Sequence, residues 1–357
     1  TTSPCDRVGR QGAGMNEQTT MTAAVTFGHG GPDAIEVRTD WPRPAPRPGE
    51  ALVQVTAAAL NNTDIWSREG AYGTADDPDA IVGWKGVPLD FPRIQGIDIA
   101  GEVCAVGSEA DERWLGTRVI VDSAARYVDD LPFDIVGSEI DGGFAEYHLC
   151  RIDQLHDVTA SPLSDAQLAC LPTAYGTALG MLTRARCAPD ERVLVTGASG
   201  GVGMAAVQLL LDRGCDVVAR TSAAHRDVIS ALGVAEVSVR GVDELSAVRP
   251  VDVAVDVVGG ADFGALVDRL RDRGRLVTAG AIAGPVVTLD LRRLYLQQRT
   301  LIGSTMHTPA VFAELASIAV AGGVEPLVAA TYPLTEIAAA QALFVTGDFV
   351  GKLVLVP

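Results

Sequence analysis

The chain has 357 residues, 48% hydrophobic and 20% charged, a balance that excludes a disordered, collagen-like or low-complexity protein and suffices for about two domains with full cores. Its 28 Lys and Arg against 45 Asp and Glu leave a net charge of −17, a field that disfavours nucleic acid and anionic lipid as partners. Cysteines at 5, 104, 150, 170, 187 and 215 form no CxxC pair or zinc-ribbon spacing, and no apolar run approaches the ~18 residues of a membrane span, so a reduced, cytoplasmic, non-membrane protein is expected.

The first residues are polar and resemble neither a signal peptide nor a transit peptide, and Met15 or Met21 is an expected start. From Thr22 to Ile152 short β-branched runs alternate with Gly and Pro, as in Glu50-Ala-Leu-Val-Gln-Val-Thr and Gly116-Thr-Arg-Val-Ile-Val, which predicts a mostly antiparallel half. Within it, Ala71 to Asp90 is rich in Gly, Asp and Pro and reads as a lid. Past Pro162 strands and helices alternate. Strands are predicted at Arg192, Asp216, Glu236, Val251, Arg275 and Thr300, and helices over Val202–Arg213, Ala223–Leu232 and Ala261–Arg273. Repeated βα units imply a parallel, doubly wound sheet, so the fold class is α/β. The end, Gly351-Lys-Leu-Val-Leu-Val-Pro, reads as a strand returning to the first half.

The strongest local signal is Val193-Leu-Val-Thr-Gly-Ala-Ser-Gly-Gly-Val-Gly, between a buried strand and an apolar helix. Its glycines permit a tight turn and close approach of a pyrophosphate, and the helix start behind it offers free N–H groups, so Gly197, Ser199, Gly200, Gly201, Val202 and Gly203 are candidate dinucleotide contacts. An NAD site places an acid at the end of the next strand. Here Asp216 stands at that strand's beginning, and its end carries Arg220, Thr221, Ser222 and Arg226, a set suited to a 2′-phosphate. NADPH is the expected cofactor. Gly280, beyond the Arg275 strand, is a further cofactor-side candidate.

Several ordered motifs then carry a resemblance: Asn61-Asn-Thr-Asp-Ile-Trp, Gln95-Gly-Ile-Asp-Ile-Ala-Gly, Asp141-Gly-Gly-Phe-Ala-Glu-Tyr, Leu171-Pro-Thr-Ala-Tyr-Gly, the glycine loop and Asp256-Val-Val-Gly-Gly. From Thr22 to Pro357 the chain resembles the medium-chain dehydrogenase/reductase superfamily, in its zinc-free quinone oxidoreductase branch. The resemblance implies a strand-rich, GroES-like catalytic domain (22–160 and 306–357) around a doubly wound Rossmann domain (161–305). Zinc-using members carry a Cys, a His and a later Cys or Asp as metal ligands. The corresponding positions here are Asn61, Ile97 and about Ala169, with Cys170 adjacent, so no metal is expected.

Without a metal, a quinone or conjugated C=C is an easier hydride acceptor than a simple ketone, because hydrogen-bond donors and water can meet the developing charge. By position, Asn61 is expected to orient substrate or a water, and Asp64 to act as an N-cap or structural partner. Trp66 replaces a tyrosine common among relatives, and Tyr72 is the nearest phenol. The resemblance also places Thr173 and Tyr175 on the nicotinamide side and Lys352 near a cofactor phosphate. Lys352 reads equally as a solvated strand-edge residue, and His307 as a residue able to approach the interdomain cleft. Two alternatives stand beside the reductase: an enoyl-thioester reductase of secondary metabolism, and a non-catalytic, crystallin-like NADPH-binding protein. Loops 71–90 and 127–138 are expected to shape the acceptor pocket, and the Thr300 strand to pair in a homodimer.

Overall fold

The computed structural model describes residues 19–72 and 89–357. Two compact units are present. One runs through Pro172 and takes in Ala319–Ala321 and Val328–Pro357; the other comprises Thr173–Ile318 and Gly322–Leu327. These divisions fall later in the chain than boundaries at 160/161 and 305/306. Most of the lid expected over Ala71–Asp90 lies outside the described residues.

The first unit contains β1 (Thr20–Thr26), β2 (Ile35–Pro42), β3 (Glu50–Ala59), α1 (Asn62–Glu69), β4 (Arg93–Ile94), β5 (Asp98–Val106), β6 (Arg118–Val121), β7 (Ala124–Val128), β8 (Leu131–Ile135), β9 (Tyr147–Arg151), β10 (Leu155–Asp157) and α2 (Asp165–Ala169). The second contributes α3 (Gly176–Arg184), β11 (Arg192–Val195), α4 (Gly201–Asp212), β12 (Asp216–Thr221), α5 (Arg226–Ala231), β13 (Glu236–Val239), β14 (Val251–Asp256), α6 (Phe263–Arg269), β15 (Leu270–Thr278), α7 (Arg292–Tyr295), β16 (Thr300–Gly303) and α8 (Pro309–Ala321). The chain then closes the first unit with β17 (Val328–Pro333), α9 (Ile337–Thr346) and β18 (Lys352–Val356).

In the first unit a seven-stranded sheet runs β10-β6-β5-β3-β18-β17, with β9 also on β3. Only β17 and β18 pair in parallel, so the antiparallel expectation for the first half holds. The C-terminal strand does return, and it lies inside the sheet: β18 is flanked by β3 and β17. Small and branched aliphatic side chains such as Ala51, Val53, Ile99, Val119 and Leu353 fill the core, as the low aromatic content requires. Residues 127–138 are mostly not an irregular loop. They continue the β7–β8 hairpin, whose tip places Asp129 and Asp130 at φ 51° and 62°, the two positive dihedrals that match a tight turn to strand twist. Tyr127 ties the hairpin down by donating to both Asp122 carboxylate oxygens, at 2.9 and 2.8 Å.

In the second unit six parallel strands run β13-β12-β11-β14-β15-β16, the order of a dinucleotide-binding sheet that reverses direction between β11 and β14. Leu194, Val218, Ala254, Leu266 and Leu276 pack its core. The helix predicted over Ala261–Arg273 ends at Arg269. From Leu270 the chain joins β14 as a strand, with Leu270 opposite Val251 and an irregularity before Arg275, so sheet pairing overrides the helical spacing.

Candidate active site

At the switch point of the second unit, β11 leads into the loop Gly197–Gly203 and then α4. Gly197 takes φ +59°, a conformation open to glycine, and a Cβ on Gly203 would meet the Gly197 carbonyl oxygen at 2.1 Å. The crest is accessible: Gly200 is exposed, and Ser199, Gly201 and Val202 are half-buried. The amides opening α4 have no preceding turn of carbonyls to bond, so the cradle suits a pyrophosphate. Behind it, Thr196 donates to the fully buried Asp256 at 2.6 Å, and Asp256 also accepts from the Val258 and Gly259 amides, joining the ends of β11 and β14. Gly280 lies against the same end of the sheet, where a Cβ would meet the Val257 carbonyl oxygen at 2.9 Å.

The end of β12 divides its expected anion contacts. Ala198 donates its amide to the Arg220 carbonyl, which brings this strand end to the glycine loop. The Arg220 guanidinium, however, is buried and committed to Ser238 Oγ (2.9 Å), the Asp243 carbonyl (3.2 Å) and Asp262 (3.3 Å). It holds the strand end rather than presenting a free fork. Thr221 is the better ligand candidate, since its hydroxyl is buried with no hydrogen-bond partner among the described residues, a costly state unless something binds it. Ser222 is half-buried, Arg226 is exposed at the start of α5, and the buried Nδ1 of His225 between them has no partner among the described residues.

Thr173 and Tyr175 stand in a π-helical turn ahead of α3. Tyr175 is buried and donates its hydroxyl to Gln208 on α4 at 2.9 Å, so its phenol serves packing within this unit. His307 is likewise buried within the second unit, against Gly176 and the Phe312 ring.

In the first unit α1, β5 and β18 bring a polar cluster together. Asn61 is the N-cap of α1, and Asp64, in the first turn, accepts its backbone N–H at 2.8 Å, so of the two roles expected for Asp64 it takes that of structural partner. Asp64 also accepts from the Gly96 and Ile97 amides and is a structural clasp; burial raises its pKa to about 7. The Asn61 amide is engaged at both ends. Its Nδ2 donates to Asp98 (2.8 Å) and the Ala59 carbonyl (3.3 Å), and its Oδ1 accepts from Lys352 Nζ at 2.5 Å. Lys352 also pairs with Asp98 at 3.2 Å. Lys352 is therefore neither solvated nor on a sheet edge, and its ammonium is held by Asn61 and Asp98. Trp66 and Tyr72 meet edge to face nearby on the chain, with centroids 6.1 Å apart.

This donor set does not fit zinc. Ile97 is apolar and buried, Asn61 spends its amide as described, and an ammonium stands beside it. The Cys170 thiol is buried and donates to the Ala166 carbonyl, its pKa pushed up to about 12 mainly by burial. Among the described residues no group of three or more His, Cys, Asp or Glu could hold a metal ion.

Residues 201–321 match the family described as zinc-binding dehydrogenase, and 47–160 match the alcohol dehydrogenase GroES-like domain. The structure of a candidate alcohol dehydrogenase from Sinorhizobium meliloti 1021 is 45% identical, with a TM-score of 0.87, over 95% of this chain and 97% of that one. The chain belongs to the medium-chain dehydrogenase/reductase superfamily. Human quinone oxidoreductase is 26% identical over 95% of this chain and 98% of its own length. The structure of the 2-octenoyl-CoA carboxylase/reductase CinF, in complex with NADP and 2-octenoyl-CoA, is 26% identical with a TM-score of 0.80, over 95% of this chain and 88% of that one. This medium-chain dehydrogenase/reductase thus pairs a GroES-like unit with a Rossmann unit, as its motifs imply.

Two groups escape a reading of the motifs alone. Asp98 has a signal in hindsight: a carboxylate between Ile97 and Ile99, in the apolar run Ile97-Asp-Ile-Ala-Gly, must be paired inside the protein. His225 has none, since a histidine in a turn reads as surface.

Proposed function

We propose that this protein transfers hydride from NADPH to a quinone or an α,β-unsaturated carbonyl without zinc. The observation that carries the reading is the Asn61–Asp98–Lys352 cluster: Asn61 and apolar Ile97 stand where zinc-using members carry metal ligands, and the Asn61 amide is taken up by Asp98 and Lys352. Bound NADPH supplies the hydride. Gly197, Gly200, Gly201, Val202 and Gly203 would cradle its pyrophosphate, and Thr221, Ser222 and Arg226 the 2′-phosphate, with Arg220 supporting the strand end.

A spectrophotometric screen of NADPH oxidation over quinones, enals, enones and unconjugated ketones tests this. Turnover of conjugated acceptors by chelator-dialysed protein, with NADPH preferred to NADH, is the expected result. Activity confined to simple ketones, or restored only by added zinc, overturns it. The likeness to CinF supports a second reading, reduction of an enoyl thioester. A short-chain enoyl-CoA in the same screen separates the two.

The proposal extends to a homodimer and a cytoplasmic location. β16 is an edge strand, and Leu291, Tyr295, Leu296 and Leu301 are exposed on or before it, an apolar surface a second copy would cover. The five described cysteines are all free thiols, which supports a reducing compartment. Light scattering at several concentrations reports the oligomeric state.

A further inference from the structure

Hydride addition to a conjugated carbonyl needs a donor for the oxygen that gains charge, and the cluster of the first unit narrows the choice. Asn61, the residue its position nominates, is spent: both Nδ2 hydrogens and the side-chain oxygen are engaged, and its backbone N–H goes to Asp64. Asp98 is fully buried and can only accept in its ionised form. Lys352 differs. An ammonium carries three N–H donors, and Asn61 Oδ1 and Asp98 Oδ2 take two of them, at 2.5 and 3.2 Å. Its side chain is 7% exposed, so bulk water is poorly placed to satisfy the third. A buried donor left unmade costs stability unless a ligand supplies the acceptor. The two anchors also fix the ammonium on β18, an interior strand.

Resting on the reductase reading, we propose that Lys352 is the electrophile of the site: its third N–H hydrogen-bonds the substrate carbonyl oxygen, with Asn61 and Asp98 as positioning residues. The hydride would leave NADPH, which is oxidised to NADP⁺, and form the new C–H bond at the β-carbon; the C=C electron pair would move toward oxygen, and the Lys352 N–H would stabilise the resulting enolate. A water would then give its proton to the α-carbon and be re-protonated from bulk solvent, so that one solvent proton is consumed per turnover. A fixed cation in place of a Lewis acid supplies the charge stabilisation that a metal would give.

The test compares the full-length protein with Lys352→Met, Lys352→Arg and Asp98→Asn. Expected for Lys352→Met is a fall in kcat of about 10²-fold with an enone, with the NADPH dissociation constant unchanged within about twofold. Lys352→Arg should recover part of the activity, and Asp98→Asn, which loosens the anchor, should lower kcat without weakening NADPH. An NADPH affinity lowered tenfold with kcat retained at saturation would place Lys352 on the cofactor phosphate instead. Unchanged kcat and affinity would make it a structural ion pair, and either result overturns the proposal. A readout independent of turnover is the binding of 4-nitrophenolate, an oxyanion probe, with NADP⁺ present. The wild type and Lys352→Arg should bind it and shift its absorbance, and Lys352→Met should not. Binding that follows Lys352 while no acceptor is reduced would sink the reductase reading and keep the oxyanion site. If Lys352→Met does not fold, Asp98→Asn and Lys352→Arg decide, since loss of both kcat and probe shift in Asp98→Asn supports the proposal and retention of both refutes it.

Discussion

The Arg220 guanidinium lies 3.3 Å from the Asp262 carboxylate, and the same side chain donates to Ser238 Oγ and the Asp243 carbonyl. It therefore fastens the end of β12 to β13 and to the turn that follows β14. Arg226, six residues on, is exposed at the start of α5. The two arginines should thus separate under mutation. Arg220→Met should destabilise the protein by about 2 kcal/mol, the loss of buried charge-assisted hydrogen bonds discounted for the half-exposed Asp262. Arg226→Met should leave the Tm nearly unchanged and raise the KM for NADPH while sparing that for NADH. Thermal unfolding with paired NADPH and NADH kinetics checks both, and a selective NADPH defect in Arg220→Met alone would reverse the assignment.

The glycine loop makes a sharper contrast. Gly203 packs so closely on Gly197 that a methyl group would require backbone to move, whereas a Cβ on Gly200 would meet the Gly197 carbonyl oxygen only at 3.4 Å. Gly203→Ala should weaken NADPH binding at least tenfold and lower the Tm by several degrees, an effect of roughly 2 kcal/mol of overpacking. Gly200→Ala should change either by little. Fluorescence titration of NADPH against both variants is the measurement, and equal behaviour of the two would show that close packing is not what the third glycine provides.

Tyr72 is the phenol nearest to α1, and burial, the largest influence on it, raises its pKa above the ordinary value of 10.0. It stays protonated across the working range and meets Trp66 edge to face. With Lys352 as the donor, Tyr72→Phe should alter kcat by less than about threefold, within the scale of a lost packing contact. A fall of 10²-fold in the pH-independent kcat would instead make the phenol the acid.

How much was legible in the sequence follows sequence distance. The glycine loop, the alternating strands and helices and the returning C-terminal strand rest on local patterns, and the structure keeps them. Asn61 looked free because its partners are remote: Asp98 is 37 residues away and Lys352 is 291 away. Arg220 looked like a phosphate ligand because Asp262, 42 residues on, could not be seen beside it. The helix expected over Ala261–Arg273 stops at Arg269 for the same reason. Leu266, Val267 and Leu270 keep a helical spacing, yet Leu270 faces Val251 across a ladder that no local window contains. Residue type showed which groups could do chemistry; the long-range partners decide which remain available for it.

His148 offers a test of burial itself. It lies on β9 opposite Val53, buried, with a hydrogen bond to the Gly142 backbone and no partner for Nε2 among the described residues. Burial lowers its pKa from 6.5 to about 4. The folded protein therefore holds a neutral ring over a range where the unfolded chain takes up a proton, so protonation favours unfolding. The contribution is intact above pH 6.5 and is lost as the pH falls through 4, reaching roughly 3 kcal/mol. Carboxylates titrate over the same interval, so the informative quantity is the difference from a variant. His148→Leu, which keeps an apolar side chain in an apolar site, should be less stable than wild type at pH 7 because the Gly142 contact is lost, yet show a shallower loss between pH 6.5 and 4. Urea unfolding across that interval measures it. Parallel pH profiles for the two proteins would mean that the ring is protonated in the folded state, and that the Gly142 carbonyl outweighs the cost of burying the charge.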